Sequence, residues 1–241
     1  MFWLTDYIRR NVVVATVQGY LVTNRFDRTG QALLDTGHAG KDDIEFVHQY
    51  LSARNQESLT IFDIGAGAGT FATWAANVFP AAEIYSFEPQ RAVCNVLTAN
   101  AAINNFYGIH AYNMALADQN SWITYQEPNY FIEADFDQFS LTLPHGLALT
   151  SRSVTIEQQT VDSFVSRHQI TNVDMLKIST NGMDVAVLHG SLGTIKKFRP
   201  VIYIDYTINV NRNDIVSVLQ HNNYGFKGTL DKILAVYDNK L

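Results

Sequence analysis

One acid, three glycines at alternate positions and a second acid one strand later constrain this chain more than anything else in it. The stretch Leu59-Thr-Ile-Phe-Asp-Ile-Gly-Ala-Gly-Ala-Gly-Thr70 reads as a buried strand ending in a carboxylate and a glycine loop, with a helix after it. Glu83-Ile-Tyr-Ser-Phe-Glu-Pro89 reads as a second strand closed by another carboxylate. Strand, glycine loop, helix, strand and acid together build a pocket for an adenosine-containing cofactor. The glycines let the backbone approach the ligand, and the acid accepts the ribose hydroxyls.

Glycine spacing separates the cofactors. A dinucleotide site wants G-x-G-x-x-G so that pyrophosphate rests on a helix N-terminus. Here the glycines are Gly65, Gly67 and Gly69, and Thr70 stands where the third dinucleotide glycine belongs. Asp63, two residues before the first glycine, repels a pyrophosphate and suits the ammonium or sulfonium of S-adenosylmethionine. Glu88 follows Gly65 by 23 residues, close to the ~20 of such pockets. A nicotinamide-dependent dehydrogenase is disfavoured on this spacing.

A chain of 241 residues suits one compact unit that buries roughly 70–75% of its unfolded surface. With 47% hydrophobic and 17% charged residues it is globular rather than disordered. Net charge is −6, and Arg9-Arg10 and Lys196-Lys197 are the only adjacent basic pairs, which argues against a nucleic-acid partner. The single cysteine, Cys94, lies in a helical pattern and reads as a small buried hydrophobe; no internal disulfide is available, which fits a reducing cytoplasm. No apolar run reaches the ~20 residues of a membrane helix. Asp6, Arg9 and Arg10 break the apolar start before a signal-peptide core forms.

Residues 1–55 read as an appendage, with a short amphipathic start and a hairpin turning at Gly19. A helix opened by Asp42 and Asp43 follows the polar loop 35–40. Residues 56–241 read as the cofactor-binding domain. Strands are predicted at 59–64, 83–87, 109–114, 173–178 and 201–205, with helices between them, one of them spanning 182–198. Two further strands, 225–229 and 233–237, are joined by a turn too short for anything but antiparallel pairing. The alternation gives an α/β, doubly wound, mostly parallel sheet covered by helices.

Residues 119–160 break the alternation. Trp122, Tyr125, Tyr130, Phe131, Phe136 and Phe139 lie there among five acids. Simple βα connections run about two to six residues, so this is an insertion. Two readings stand side by side: a lid or substrate wall, and an extra hairpin packing its aromatics under the sheet edge.

With these blocks in place, the chain resembles the FkbM-type family of S-adenosylmethionine-dependent methyltransferases. Phe62-Asp-Ile-Gly-Ala-Gly-Ala-Gly-Thr70 is similar to the family's acid–glycine loop, and Phe87-Glu-Pro89 to its ribose-binding motif. Asn100-Ala-Ala-Ile-Asn-Asn105 matches its Asn-rich helix end, and Asn113-Met-Ala-Leu-Ala-Asp118 its turn beside the adenine. The block from Val173-Asp-Met-Leu-Lys-Ile-Ser-Thr-Asn-Gly182 through Leu188-His-Gly190 to Arg199-Pro-Val-Ile-Tyr-Ile-Asp205 singles out the family. The resemblance implies a Rossmann-like class I methyltransferase fold with seven strands, the last antiparallel. It implies a cofactor site of Asp63, Gly65, Ala66, Gly67, Gly69, Phe87, Glu88, Pro89, Asn113, Met114 and Ala115. It also implies O-methylation of a small hydroxylated acceptor, a sugar or natural product.

After strand four the family has Lys-Ile-Asp-x-Glu-Gly. This chain keeps Lys177, Ile178 and Gly182 but carries Ser179 and Asn181 in place of the acids. Lys177, Ser179 and Asn181 are the candidate catalytic residues. The second and third hydrogen-bond an acceptor hydroxyl and do not deprotonate it at neutral pH. Lys177 reads as orienting a substrate carboxylate or, preferably, as pairing with Asp205. Asp63 has a second reading, as a cap on the glycine-loop amides. His145 is the best-placed substitute base, against an ordinary exposed loop histidine. No histidines pair at metal-ligand spacing, so no metal is expected. The rival function is a protein that binds S-adenosylmethionine or its demethylated product without catalysis.

Overall fold

The computed structural model describes residues 11–16, 19–37, 41–52, 58–134, 136, 139–142, 147–206, 211–228 and 232–237. Its centre is a seven-stranded sheet in the order β5-β4-β3-β9-β10-β12-β11. The strands are β3 (Thr60–Ile64), β4 (Glu83–Phe87), β5 (Ile109–Tyr112), β9 (Met175–Ile178), β10 (Val201–Asp205), β11 (Tyr224–Gly228) and β12 (Lys232–Tyr237). Strands β5, β4, β3, β9 and β10 run parallel, and β12 is antiparallel to both of its neighbours. This is the α/β, mostly parallel seven-stranded sheet the sequence predicts. The central strands are near-continuous apolar runs because helices cover both faces.

The two faces split the core. Phe62, Ile64, Leu176, Ile178, Ile202 and Ile204 pack with helices α5 (Val161–Arg167), α6 (Asp184–His189), α7 (Leu192–Phe198) and α8 (Arg212–His221). Ile61, Met175, Val201 and Tyr203 point to the other side. There they meet Phe71, Trp74 and Ala75 of α3 (Thr70–Val78) and Val47 and Leu51 of α2 (Lys41–Ser52). Helix α4 (Arg91–Ile103) links β4 to β5. Among the described residues no helix is long and apolar enough to cross a membrane.

Three local readings change. The single helix predicted over 182–198 is two. A Cβ at Gly190 would meet Ala117 O at 1.9 Å, and the Asp162 carboxylate takes the Gly193 and Thr194 N–H groups at 2.8 and 2.7 Å to start α7 afresh. The strand predicted at 109–114 ends at Tyr112, and that at 173–178 begins at Met175. A helix not anticipated, α1 (Arg28–Thr36), starts where Asp27 accepts the Gly30 N–H and ends at the left-handed Gly37.

The amino-terminal hairpin pairs β1 (Asn11–Thr16) with β2 (Gly19–Asn24); Gly19, expected in the turn, opens β2 opposite Thr16. Residues 119–160 contribute a hairpin of β7 (Ser121–Pro128) and β8 (Leu149–Gln159), with β6 (Ala115–Leu116) parallel to β8. Tyr125, Tyr130, Phe136 and Phe139 are buried, whereas Trp122 is 71% and Phe131 44% exposed.

Candidate functional site

A cavity of about 400 Å³ opens at the carboxyl ends of β3, β4 and β9, where the strand order reverses. Ligand crevices of open α/β sheets lie at this place, and the volume falls in the ~300–1,000 Å³ range of small-molecule sites. Gly65, Ala66 and Gly67 of the glycine loop line it, with Phe87, Glu88 and Pro89 and with Met114 and Ala115.

Backbone geometry explains the glycines. Gly65 has φ 74°, and a Cβ there would lie 1.9 Å from Ser179 O. Gly67 has φ 55° and presents its N–H to Glu88 Oε2 at 3.0 Å. Gly69 does not line the cavity: it is the left-handed N-cap of α3, where a Cβ would press on Leu97 at 3.0 Å.

Glu88 is 4% exposed, and its other oxygen accepts the Gln90 N–H at 2.8 Å. A carboxylate accepts about four hydrogen bonds, and here two anchor it to backbone. The segment it heads is fixed from several sides. Asn113, which stays outside the cavity wall, donates Nδ2 to Glu88 O and Pro89 O, both at 2.9 Å. The Tyr125 hydroxyl donates to Pro89 O at 3.0 Å, and that of Tyr130 to Gln90 Oε1 at 3.0 Å. Burial pushes the Tyr125 phenol up to about 12, so it remains a donor at neutral pH.

Asp63 departs from its expected place. It is fully buried behind the cavity wall, and neither oxygen accepts a well-formed hydrogen bond. Its compensation is the Lys177 ammonium, 2.9 Å from Oδ1. The same ammonium donates to Gly65 O at 2.9 Å. Lys177 therefore pairs with Asp63 and not with Asp205, because β3 and β9 are in register at these two residues. The loop-capping role also considered for Asp63 belongs to Glu88.

Beyond β9, Ser179 and Asn181 both line the cavity. Asn181 sits at φ 49°, a conformation asparagine tolerates, and its Nδ2 donates to Phe139 O at 3.1 Å. Asp184, fully buried, accepts from Thr180 N and Oγ1 at 3.0 Å and from Gly182 N at 3.2 Å. It shapes this loop rather than facing an acceptor. His145 lies outside the described residues.

The remaining wall comes from the amino-terminal unit, whose part in a site the sequence did not disclose, and from the insertion, one of whose two readings is a lid or substrate wall. Thr23, Asp27, Thr29 and Leu33 enter from the amino-terminal unit, and Phe136, Phe139 and Leu141 from the insertion. The two segments clasp each other. Arg28 N donates to Ala134 O at 3.0 Å, Ala134 N to Phe26 O at 2.9 Å, and Phe136 N to Asp27 Oδ1 at 2.9 Å. The insertion is thus both a packed hairpin and a wall of the cavity. Tyr203, Asp205 and Lys232 complete the lining from β10 and β12. Nothing local in the sequence marks Thr23, Asp27 or Lys232, which reach the cavity only through tertiary packing. Among the described residues no group of acids, histidines and cysteine is placed to hold a metal ion.

The family model of the methyltransferase FkbM domain matches residues 63–235. The structure is similar to that of methyltransferase FkbM from Methylobacillus flagellatus KT, with 16% identity and a TM-score of 0.50. That match covers 90% of this chain and 56% of the other, so this chain spans little more than half the length of that protein. A proposed caffeoyl-CoA O-methyltransferase from Staphylococcus aureus is similar at 9% identity and a TM-score of 0.52, covering 86% of this chain and 91% of the other. At these identities the likeness speaks to the fold. No curated protein matches the chain.

Proposed function

The chain belongs to the methyltransferase FkbM domain family, and from that premise we propose that it binds S-adenosylmethionine and methylates a hydroxyl of a small acceptor, a sugar or other natural product. The observation that carries this reading is the buried Glu88 carboxylate, locked to Gly67 N and Gln90 N at the rim of the cavity.

The residues present fit the cofactor. Gly65 and Gly67 take conformations that leave the loop backbone bare of side chains toward the ligand. Glu88 is a preset acceptor for the two ribose hydroxyls. Phe87, Met114 and Ala115 offer an apolar wall for the adenine. The fixed positive charge of Lys177 sits beside the loop and suits the cofactor's carboxylate end, while Asp63 neutralises it from behind. When bound, S-adenosylmethionine supplies a methyl group already activated on a sulfonium sulfur, so the chain's task is positioning and removal of a proton. Ser179 and Asn181 hydrogen-bond the acceptor hydroxyl from the loop after β9. The clasp between the amino-terminal unit and the insertion shields that side from water. The single Cys94 fits a cytoplasmic setting for this chemistry.

Ser179 and Asn181 also support a second reading, a cofactor-binding protein without turnover, because both stand where the family carries acids. Release of S-adenosylhomocysteine across a panel of methyl glycosides and phenols separates the two. A thermal shift with S-adenosylmethionine and S-adenosylhomocysteine tests the cofactor itself: at 100 times the dissociation constant either adds ~2.7 kcal/mol. No shift with either ligand sinks both readings.

A further inference from the structure

Resting on the methyl-transfer reading, we infer that Asp205 is the general base that takes the acceptor's hydroxyl proton. It closes β10 at its carboxyl end, half-buried, and lines the cavity. The parallel pairing of Ile204 with Ile178 places it one step farther on, level with Ser179. On its other side it is in register with Lys232 of β12, which lines the same cavity.

The other acids around the cavity serve the architecture. Glu88 holds Gly67 and Gln90, Asp27 holds Gly30 and Phe136, Asp184 holds the loop after β9, and Asp63 balances Lys177. Ser179, level with Asp205, and Asn181 line the same cavity with groups that orient a hydroxyl and do not ionise. A hydroxyl held there loses its proton to Asp205 as its oxygen bonds the methyl carbon. The carbon–sulfur electron pair stays on sulfur, which becomes a neutral thioether, and the proton passes on to water.

The test compares acceptors that need a base with acceptors that do not. Parent and Asp205→Asn are assayed for S-adenosylhomocysteine release on methyl glycosides and on a nitrophenol that is ionised at mildly alkaline pH. General-base catalysis is worth about 10²–10⁴-fold. Asp205→Asn should therefore lose at least about 100-fold in kcat on the glycosides and retain most of its rate on the ionised phenol. Calorimetry should give S-adenosylhomocysteine affinity within about twofold of the parent. The parent's glycoside rate should fall in acid as one carboxylate protonates, a limb absent with the phenol; this measurement needs no variant and stands even if Asp205→Asn fails to fold. Equal losses on both acceptors, or an unchanged glycoside rate, overturn the assignment of Asp205 alone. A parent that binds S-adenosylhomocysteine and methylates neither acceptor overturns the methyl-transfer reading and this inference with it.

Discussion

Glu88 accepts the Gly67 N–H at 3.0 Å, so the acid that closes β4 also sets the shape of the loop that closes β3. The two halves of the proposed cofactor pocket are one hydrogen-bonded object. Glu88→Ala should weaken S-adenosylmethionine binding at least tenfold, because charge-assisted bonds are worth ~1.5–3 kcal/mol each. It should also lower stability by ~1–3 kcal/mol, because two backbone amides lose their acceptor. Calorimetry and denaturant titration read the two effects separately. Unchanged affinity would put the cofactor elsewhere.

Gly67 carries a different prediction. At φ 55° a β-branched residue is strongly disfavoured, and the loop would have to rearrange. Gly67→Val should abolish cofactor binding while circular dichroism still reports the sheet and helices. A folded variant with parental affinity would mean that the loop does not touch the ligand.

The ion pair beneath the loop is a stability feature. Lys177→Met leaves Asp63 charged, fully buried and uncompensated, which should cost ~3–5 kcal/mol. Adding Asp63→Asn should return much of that loss, and a double-mutant cycle measures the coupling. Additive effects of the two substitutions would contradict the pairing.

Asn100, fully buried, ties the amino-terminal hairpin to the glycine loop. Its Nδ2 donates to Val22 O at 3.0 Å and to Ala68 O at 2.8 Å, and its Oδ1 accepts the Val22 N–H. Asn100→Leu should lower the thermal midpoint and weaken cofactor binding together, since one side chain serves both contacts. Loss of stability with full affinity would show that the hairpin and the loop act independently.

Cys94 offers a pH test. Burial, and then the nearby Glu88 charge, raise its thiol from near 9 to about 11. The folded state therefore holds this proton more tightly than the unfolded chain, and the associated stability is lost as pH rises through roughly 9 to 11. At neutral pH the thiol should react with an alkylating reagent only as fast as the protein unfolds. Rapid labelling of the native protein would refute the burial.

What the sequence disclosed, and what it withheld, follows from range. The strands at Glu83–Phe87 and Val201–Asp205 and the glycine loop were legible because periodicity and turn chemistry are local. The break at Gly190 was not, because it depends on Ala117 O and on the Asp162 carboxylate from another part of the chain. Asp63 looked like a cofactor contact because spacing alone does not show that its strand neighbour Lys177 reaches it first. The clasp of Asp27 with Phe136 joins residues more than a hundred positions apart. Asn100 and Asn104 were visible as part of a family motif, yet their work, docking the β2 backbone at Val22 and Tyr20, exists only in three dimensions.

The loop after β9 decides between enzyme and binder. Ser179→Ala with Asn181→Ala should reduce turnover and barely change cofactor affinity, because both line the cavity beyond β9 and, on the proposed reading, meet the acceptor and not the cofactor. Part of the loss will come through Asn181, whose amide tethers the loop to Phe139 O and whose φ of 49° suits asparagine better than alanine. Ser179→Ala alone removes only a hydroxyl and isolates the acceptor contact. The reverse change, Ser179→Asp with Asn181→Glu, restores the acids the family carries. If turnover was lost with those acids, the restored protein gains S-adenosylhomocysteine release that the parent lacks. If the parent is active through Asp205, two new carboxylates beside its acceptor should change rate or acceptor choice by like-charge repulsion. Release assays on one panel of methyl glycosides and phenols distinguish these outcomes, and an active parent indifferent to every one of the substitutions would move the acceptor away from this loop.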